Sequence, residues 1–268
     1  MPFWTLFGLQ KGLATDSVSD KTTTGAQPGV WGLPRLERDR CLDNCRACTE
    51  ICLPGALGLE STQSGERLTI DYGKCIGCQL CVETCPNNAL LKSHDWAFGV
   101  QDRKDLIWAE ALSSEPAQQL AESIQKYFGR SLHIRHVDAG SCNGCESELQ
   151  ALNNPYYNLH RLGIFFTPSP RFADLLLVTG SVTYAMHDPL LATYNAMPEP
   201  RRVMAMGTCA VSGGVTGGGY SCGNGLEGVL PVDLYVPGCP PNPSAMIHAI
   251  LLLLSRATQH VHGGHYEQ

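Results

Sequence analysis

Hydrophobic positions change character along this chain. Beyond residue 130 they fall in short runs, Leu132 to Val137, Asp174 to Val178, Arg202 to Met206 and Leu234 to Val236. Stretches with helical spacing at Glu146 to Leu152 and Pro189 to Ala196 lie between them. Short apolar strands separated by helices predict a parallel sheet with both faces covered. Pro243 opens a last helix, at a position where proline is tolerated. Its apolar run, Ala245 to Leu254, is interrupted by His248 and is about half of the ~20 residues needed to span a bilayer, so it reads as a buried helix. Residues 36–95 follow a different pattern, with short apolar stretches ahead of clustered cysteines and an Ala-Leu pair after each cluster.

These changes divide the chain into an N-terminal extension at 1–35, a cysteine-dense unit at 36–95, a polar linker at 96–130 and an α/β unit at 131–268. The extension is rich in Thr, Ser, Gly and Pro after an aromatic and apolar start at Phe3, Trp4, Leu6, Phe7 and Leu9. That start is expected to dock on the chain itself or on a partner, a membrane subunit included.

The chain has 268 residues, 43% of them hydrophobic, enough for a sizeable core. Its formal charge of −6, with Lys and Arg scattered, excludes a broad basic surface and with it a nucleic-acid partner. Thirteen cysteines alter this picture more than the charge does. The N-terminal stretch shows no basic n-region, no small-residue cleavage site and no twin-arginine leader, since Arg201–Arg202 lies far inside. An unexported, cysteine-rich chain is expected to use its thiols for metal or redox work.

The cysteine-dense unit is one motif used twice. A shift of 33 residues carries Cys45, Cys48, Cys52, Ala56 and Leu57 onto Cys78, Cys81, Cys85, Ala89 and Leu90. The second copy, Cys75-x2-Cys78-x2-Cys81-x3-Cys85-Pro86, has the spacing of bacterial four-iron ferredoxins. Zinc or free thiols are the alternatives, and four cysteines this crowded suit neither. The first copy, Cys41-x3-Cys45-x2-Cys48-x3-Cys52, has one extra residue in its first gap and Leu53 before Pro54. It is expected to hold a second four-iron cluster, with a degraded or three-iron site as the alternative. If the copies are related by a pseudo-two-fold, ligation crosses. Cys41, Cys45, Cys48 and Cys85 then serve one cluster, and Cys75, Cys78, Cys81 and Cys52 the other. So short a segment has little core of its own and is expected to need iron to fold.

A further set is spread out: Cys142-x2-Cys145, Cys209 and Cys239. Each group follows a predicted strand, and in an open parallel sheet the binding crevice lies at those strand ends. A third cluster and simply buried cysteines are both open readings of these residues alone. Cys222 is left without a partner, and Glu146 and Glu148 read either as part of a proton route or as helix-start residues. His260, His262 and His265 sit in a glycine-containing tail.

Four motifs in order carry a family resemblance: Asp138-Ala-Gly-Ser-Cys-Asn-Gly-Cys-Glu-Ser-Glu148, Thr167 to Asp174 with Val178-Thr-Gly180, Gly207-Thr-Cys-Ala210, and Val236-Pro-Gly-Cys-Pro-Pro241. Over about residues 130–257 the chain resembles the small subunits of [NiFe] hydrogenases and the B-type (20 kDa) subunit of complex I. The membrane-associated group 4, formate hydrogenlyase-like hydrogenases are the nearer likeness. The resemblance implies an α/β flavodoxin-like domain with a parallel sheet, preceded by a small α+β bacterial-ferredoxin-like domain. It implies a proximal [4Fe–4S] cluster on Cys142, Cys145, Cys209 and Cys239, and so three [4Fe–4S] clusters in all. The two-residue gap between Cys142 and Cys145 favours the hydrogenase branch over complex I, whose subunits carry adjacent cysteines there. The fused ferredoxin unit is a departure, since formate hydrogenlyase-like complexes keep that module as a separate subunit.

The expected function is electron relay to or from the nickel–iron site of a partner large subunit, for H2 evolution or oxidation. The chain itself is expected to hold no active site for bond chemistry. The alternative is a nickel-free, complex I-like or hydrogenase-related subunit coupled to quinone or ion translocation. Expected partners are that large subunit, other redox subunits and membrane subunits. The expected location is cytoplasmic, peripheral on the cytoplasmic face of the inner membrane.

Overall fold

A computed structural model describes residues 32–62, 65–93, 96–108 and 131–257, with a few isolated positions nearer the two ends. Most of the N-terminal extension, residues 109–130 and His260 lie outside the described residues. Leu6 and Leu9, the described apolar positions of the N-terminal start, are exposed.

In the cysteine-dense unit, β1 (Arg35–Leu36) pairs antiparallel with β4 (Leu90–Leu91). Strands β2 (Leu57–Thr62) and β3 (Gly65–Asp71) form an antiparallel hairpin that β5 (Ile107–Trp108) extends across β3. Two helices of five residues each, α1 (Ala47–Ile51) and α2 (Leu80–Thr84), carry Cys48 and Cys81 inward. Such short helices are marginal alone and depend on tertiary packing.

The α/β unit contains five parallel strands: β6 (Leu132–Asp138), β7 (Ile164–Phe166), β8 (Leu175–Thr179), β9 (Arg202–Met206) and β10 (Leu234–Val236). Their spatial order is β10-β9-β8-β6-β7. Numbered within the unit this is the flavodoxin-like order 2-1-3-4-5, and its topological switch point lies between β6 and β8. Strand β8 is buried at every position, as the unbroken Leu-Leu-Leu-Val run requires. Helices α3 (Gly144–Ala151), α4 (Tyr184–Asn195), α5 (Thr208–Ser212) and α6 (Pro243–Leu253) connect and cover the strands. Helix α6 is buried at every position but Ser244, in agreement with its apolar sequence, and Asn242 caps it by accepting from the Ala245 N–H at 2.7 Å.

Two details differ from the sequence reading. Helix α4 begins at Tyr184, so Pro189 lies inside it rather than at its start. Strand β7 is an edge strand of three residues, too short to announce itself by pattern.

The two units share one core. A single cluster of buried side chains runs from Leu57, Ile70 and Tyr72 through Phe98, Val100 and Leu106 to Val137, Leu176, Val203 and Tyr235. Val100 exchanges both backbone hydrogen bonds with Tyr235, 3.0 and 2.8 Å, and so caps the outer edge at β10. An edge paired in this way is closed to further strand addition.

The loops after β6 and β8 touch. Gly180 has φ +87°, and a Cβ there would lie 2.6 Å from the Gly140 carbonyl carbon and 2.7 Å from the Ser141 nitrogen. Gly180→Ala is therefore expected to lower stability by about 1–3 kcal/mol through backbone strain and loop separation. Denaturant unfolding checks this, and an unchanged midpoint would show that the loops separate freely.

Candidate metal centre

All thirteen cysteines are free thiols. Eight of them surround two cavities in the cysteine-dense unit. One is lined by Cys41, Cys45, Cys48 and Cys85, the other by Cys52, Cys75, Cys78 and Cys81. Each quartet takes three thiols from one copy of the repeat and the last thiol of the other. The space at each is about 510 and 400 Å3, open solvent at the mouth included. Apolar side chains close the walls, among them Leu36, Leu59, Leu68 and Leu90 at the first, and Ile51, Leu57, Ile70 and Ile76 at the second.

Cys142, Cys145, Cys209 and Cys239 come from the three segments that follow β6, β9 and β10, with Cys145 in the first turn of α3 and Cys209 in that of α5. Close packing at the site is visible at Gly207, φ +86°, where a Cβ would stand 2.6 Å from Cys145 Sγ and 3.6 Å from the Gly238 carbonyl oxygen. Only glycine lets the start of α5 pass so near that thiol. Cys142 and Cys239 are exposed, whereas Cys145 and Cys209 are half-buried.

Burial disfavours the thiolates. It pushes Cys48 and Cys75 up to about 11 and Cys81 up to about 12, with repulsion from the neighbouring thiolates adding to it. At Cys75 a hydrogen bond from the Gly77 amide, 3.4 Å from Sγ, works in the opposite direction. Cys145 is also raised, first by burial and then by Glu146, Cys209, Cys239 and Cys142. Burial raises Cys209 and Cys239 as well, with Cys142 acting on both. Among the described residues no group of His, Cys, Asp and Glu converges as the ligands of a single metal ion do. Soft donors disposed in fours around a volume suit a multi-atom iron–sulfur cluster rather than one ion.

Comparison with known proteins agrees with this chemistry. Residues 68–91 match the 4Fe-4S binding domain model, and residues 142–253 match the model described as NADH ubiquinone oxidoreductase, 20 Kd subunit. The chain is 40% identical over 138 residues to a protein of Pyrococcus furiosus named "Probable membrane-bound hydrogenase subunit mbhJ", covering 52% of this chain and 83% of that one. It belongs to the NADH ubiquinone oxidoreductase 20 Kd subunit family. Formate hydrogenlyase subunit 7 of Escherichia coli is 39% identical over 148 residues, 55% of this chain and 58% of that subunit, so the match spans little more than half of it. A chain from the archaeal membrane-bound sulfane sulfur reductase is 34% identical, with a TM-score of 0.44 over 50% of this chain and 74% of its own length.

In this member of the 20 Kd subunit family, polar groups not legible as a site from the sequence surround the Cys142–Cys145 loop. Glu146 accepts hydrogen bonds from Ser141 Oγ at 2.7 Å and from Thr179 Oγ1. Thr179 Oγ1 also lies 3.0 Å from His136 Nε2. Asp138 Oδ1 accepts from the backbone N–H groups of Gly140 and Ser141, which shapes the turn. Glu146 thus anchors the loop to β8, a role the sequence did not separate from helix capping. Cys222 lines neither cavity: its thiol donates to the Thr216 carbonyl at 2.9 Å, and residue 222 bridges to Thr183. Desolvation raises the Cys222 thiol, but hydrogen bonds involving Ser181, Thr216, Gly219 and Ser221 outweigh it and leave it lowered.

Because Cys48, Cys75 and Cys81 hold their protons well above neutral pH, iron must displace those protons to bind. Iron loading of the apo chain is therefore expected to release protons and to tighten as the pH rises from about 7 to 9. Anaerobic titration in a weakly buffered indicator solution checks this, and uptake with no acidification would contradict it.

Proposed function

We propose that this chain is the iron–sulfur electron-transfer subunit of a membrane-associated, hydrogenase-like oxidoreductase complex. In this reading Cys41, Cys45, Cys48 and Cys85 hold one [4Fe–4S] cluster, Cys52, Cys75, Cys78 and Cys81 a second, and Cys142, Cys145, Cys209 and Cys239 a third. The observation that carries it is the lining of two separate cavities by the two crossed quartets. When bound, each cluster supplies one-electron oxidation and reduction. The chain's own residues hold the thiols, wall them with Leu and Ile side chains against water, and fix their separation through the shared core. Burial and nearby hydrogen bonds set the environment that tunes such a centre.

The complex partner is proposed to be a large subunit with a nickel–iron site for H2 formation or oxidation. Its support is the naming of relatives as hydrogenase and formate hydrogenlyase subunits, together with the Cys142-x2-Cys145 spacing. A nickel-free partner is the other outcome of the test below. Among the described residues no helix is long and apolar enough to cross a membrane, so attachment is proposed to be peripheral, through membrane subunits. The proposed units are a ferredoxin-like domain at 36–95 and a 20 Kd subunit domain at 131–268. Fusing them holds the modules at high effective concentration.

Metal analysis of the anaerobically purified complex is expected to give about twelve irons and about twelve acid-labile sulfides per chain from three four-iron clusters. Cys209→Ala is expected to reduce this to about eight, since the ferredoxin quartets do not use it. A count of about four or fewer in the unmodified chain would sink the relay. Nickel with H2-dependent dye reduction in the same preparation supports the hydrogenase reading, and iron with neither beside an intact large subunit replaces it with the nickel-free one.

A further inference from the structure

Helix α5 reaches across from the α/β unit to the ferredoxin-like unit with two side chains. Ser212 Oγ donates to the Gly73 carbonyl at 2.9 Å, and Thr208 Oγ1 donates to the Cys75 carbonyl at 2.9 Å. The two contacts differ in what lies at their ends. Thr208 is 1% exposed, immediately precedes Cys209, and bonds directly to the backbone of Cys75. Its Oγ1 also lies 3.3 Å from the Gly238 N–H, and its own N–H donates to the Gly238 carbonyl at 2.9 Å, next to Cys239. A hydroxyl has one proton, a carbonyl only accepts and an amide N–H only donates. The Thr208 proton must therefore point at Cys75, while a lone pair faces Gly238. One buried hydroxyl, on the segment that carries Cys209, thus has its direction set by two other thiol-bearing segments: Cys75 from the second quartet, and Gly238 beside Cys239 from the third.

The first quartet is joined to the second by the exchange of one thiol each way. Cys85 of the second copy lines the first cavity and Cys52 of the first copy lines the second, whereas both α5 contacts end on the Gly73–Cys75 stretch. We propose that Thr208 is the positioning residue that bridges the second and third thiol sets for electron exchange. This makes the order of the relay the Cys41 set, then the Cys75 set, then the Cys209 set. The inference rests on the cluster reading above. The clusters that the Cys75 and Cys209 sets would hold would supply one-electron reduction and oxidation, and Thr208 would hold the two sets in place for that exchange. No bond forms or breaks and no proton moves.

The test uses the whole anaerobic complex, rapidly reduced at its ferredoxin-like side and freeze-quenched for electron paramagnetic resonance. Thr208→Val keeps the shape of the side chain and removes the bridge. It is expected to retain about twelve irons with unchanged midpoint potentials, and to reduce the third centre several-fold more slowly. Thr208→Ser is expected to restore the rate. Ser212→Ala, which removes the neighbouring docking contact and the 3.1 Å contact of Ser212 Oγ with the Thr208 carbonyl but leaves the Thr208 hydroxyl in place, is expected to leave it unaltered. A native rate in Thr208→Val, or equal slowing by Ser212→Ala, overturns the bridge. If Thr208→Val fails to hold iron, the unmodified complex decides: magnetic splitting of the third centre's signal by the second supports the order, and splitting by the first overturns it. An unmodified complex with far fewer than about twelve irons defeats the cluster reading itself, which separates that failure from a failure of Thr208.

Discussion

Thiols withdrawn from water without a cationic partner are poor anions, and this constraint organises the chain. Burial holds Cys48, Cys75 and Cys81 as neutral thiols far above physiological pH. A protein with no metal to offer would gain nothing from gathering such groups in fours, since each additional thiolate raises its neighbours. The arrangement becomes favourable when iron replaces the protons, and the binding free energy then becomes folding free energy. The short helices α1 and α2, five residues each, depend on that gain more than the parallel sheet does.

The second organising element is the shared core. In a two-module electron carrier the distance between modules matters as much as the modules themselves, and a flexible tether would leave it undefined. Here Phe98, Val100 and Leu106, from the segment expected to act only as a linker, are buried in the cluster that joins the units. Val100 also closes the β10 edge by exchanging backbone hydrogen bonds with Tyr235. The Asp71 carboxylate meets Arg103 at 2.7 Å, tying the linker back to the end of β3 in a mostly buried pair. Removing one partner of such a pair leaves an uncompensated charge, so the contact orients the segment as well as holding it.

The α/β unit uses the flavodoxin-like switch point in the usual physical sense, since loops at the carboxyl ends of parallel strands can converge without crossing. The Cys142–Cys145 loop leaves β6 at that point and is held to β8 through Glu146 and Thr179, with His136 and Ser141 completing the hydrogen bonding. Cys222, left over by the spacing arithmetic, is a buried thiol bonded to the Thr216 carbonyl and secures the glycine-rich loop that follows α5.

The sequence by itself determined which cysteines belong to each copy of the repeat, because chain separations of two or three residues confine thiols to one turn and an offset of 33 relates the copies, whereas the exchange of Cys52 and Cys85 depends on a pseudo-two-fold and not on local spacing. It also determined the strands β6, β8, β9 and β10 and the buried helix α6, whose apolar runs exceed what a surface position tolerates. Strand β7 and the β2–β3 hairpin lacked such runs, and Pro189 suggested a helix start that lies five residues earlier, at Tyr184. Only the tertiary structure decided that Thr208 meets Cys75, 133 residues away in sequence, and that Ser212 meets Gly73, 139 residues away. Local periodicity reports the environment of a side chain, buried or exposed. The partner of a single hydroxyl is set by how surfaces far apart in the chain pack together, which no short-range pattern encodes.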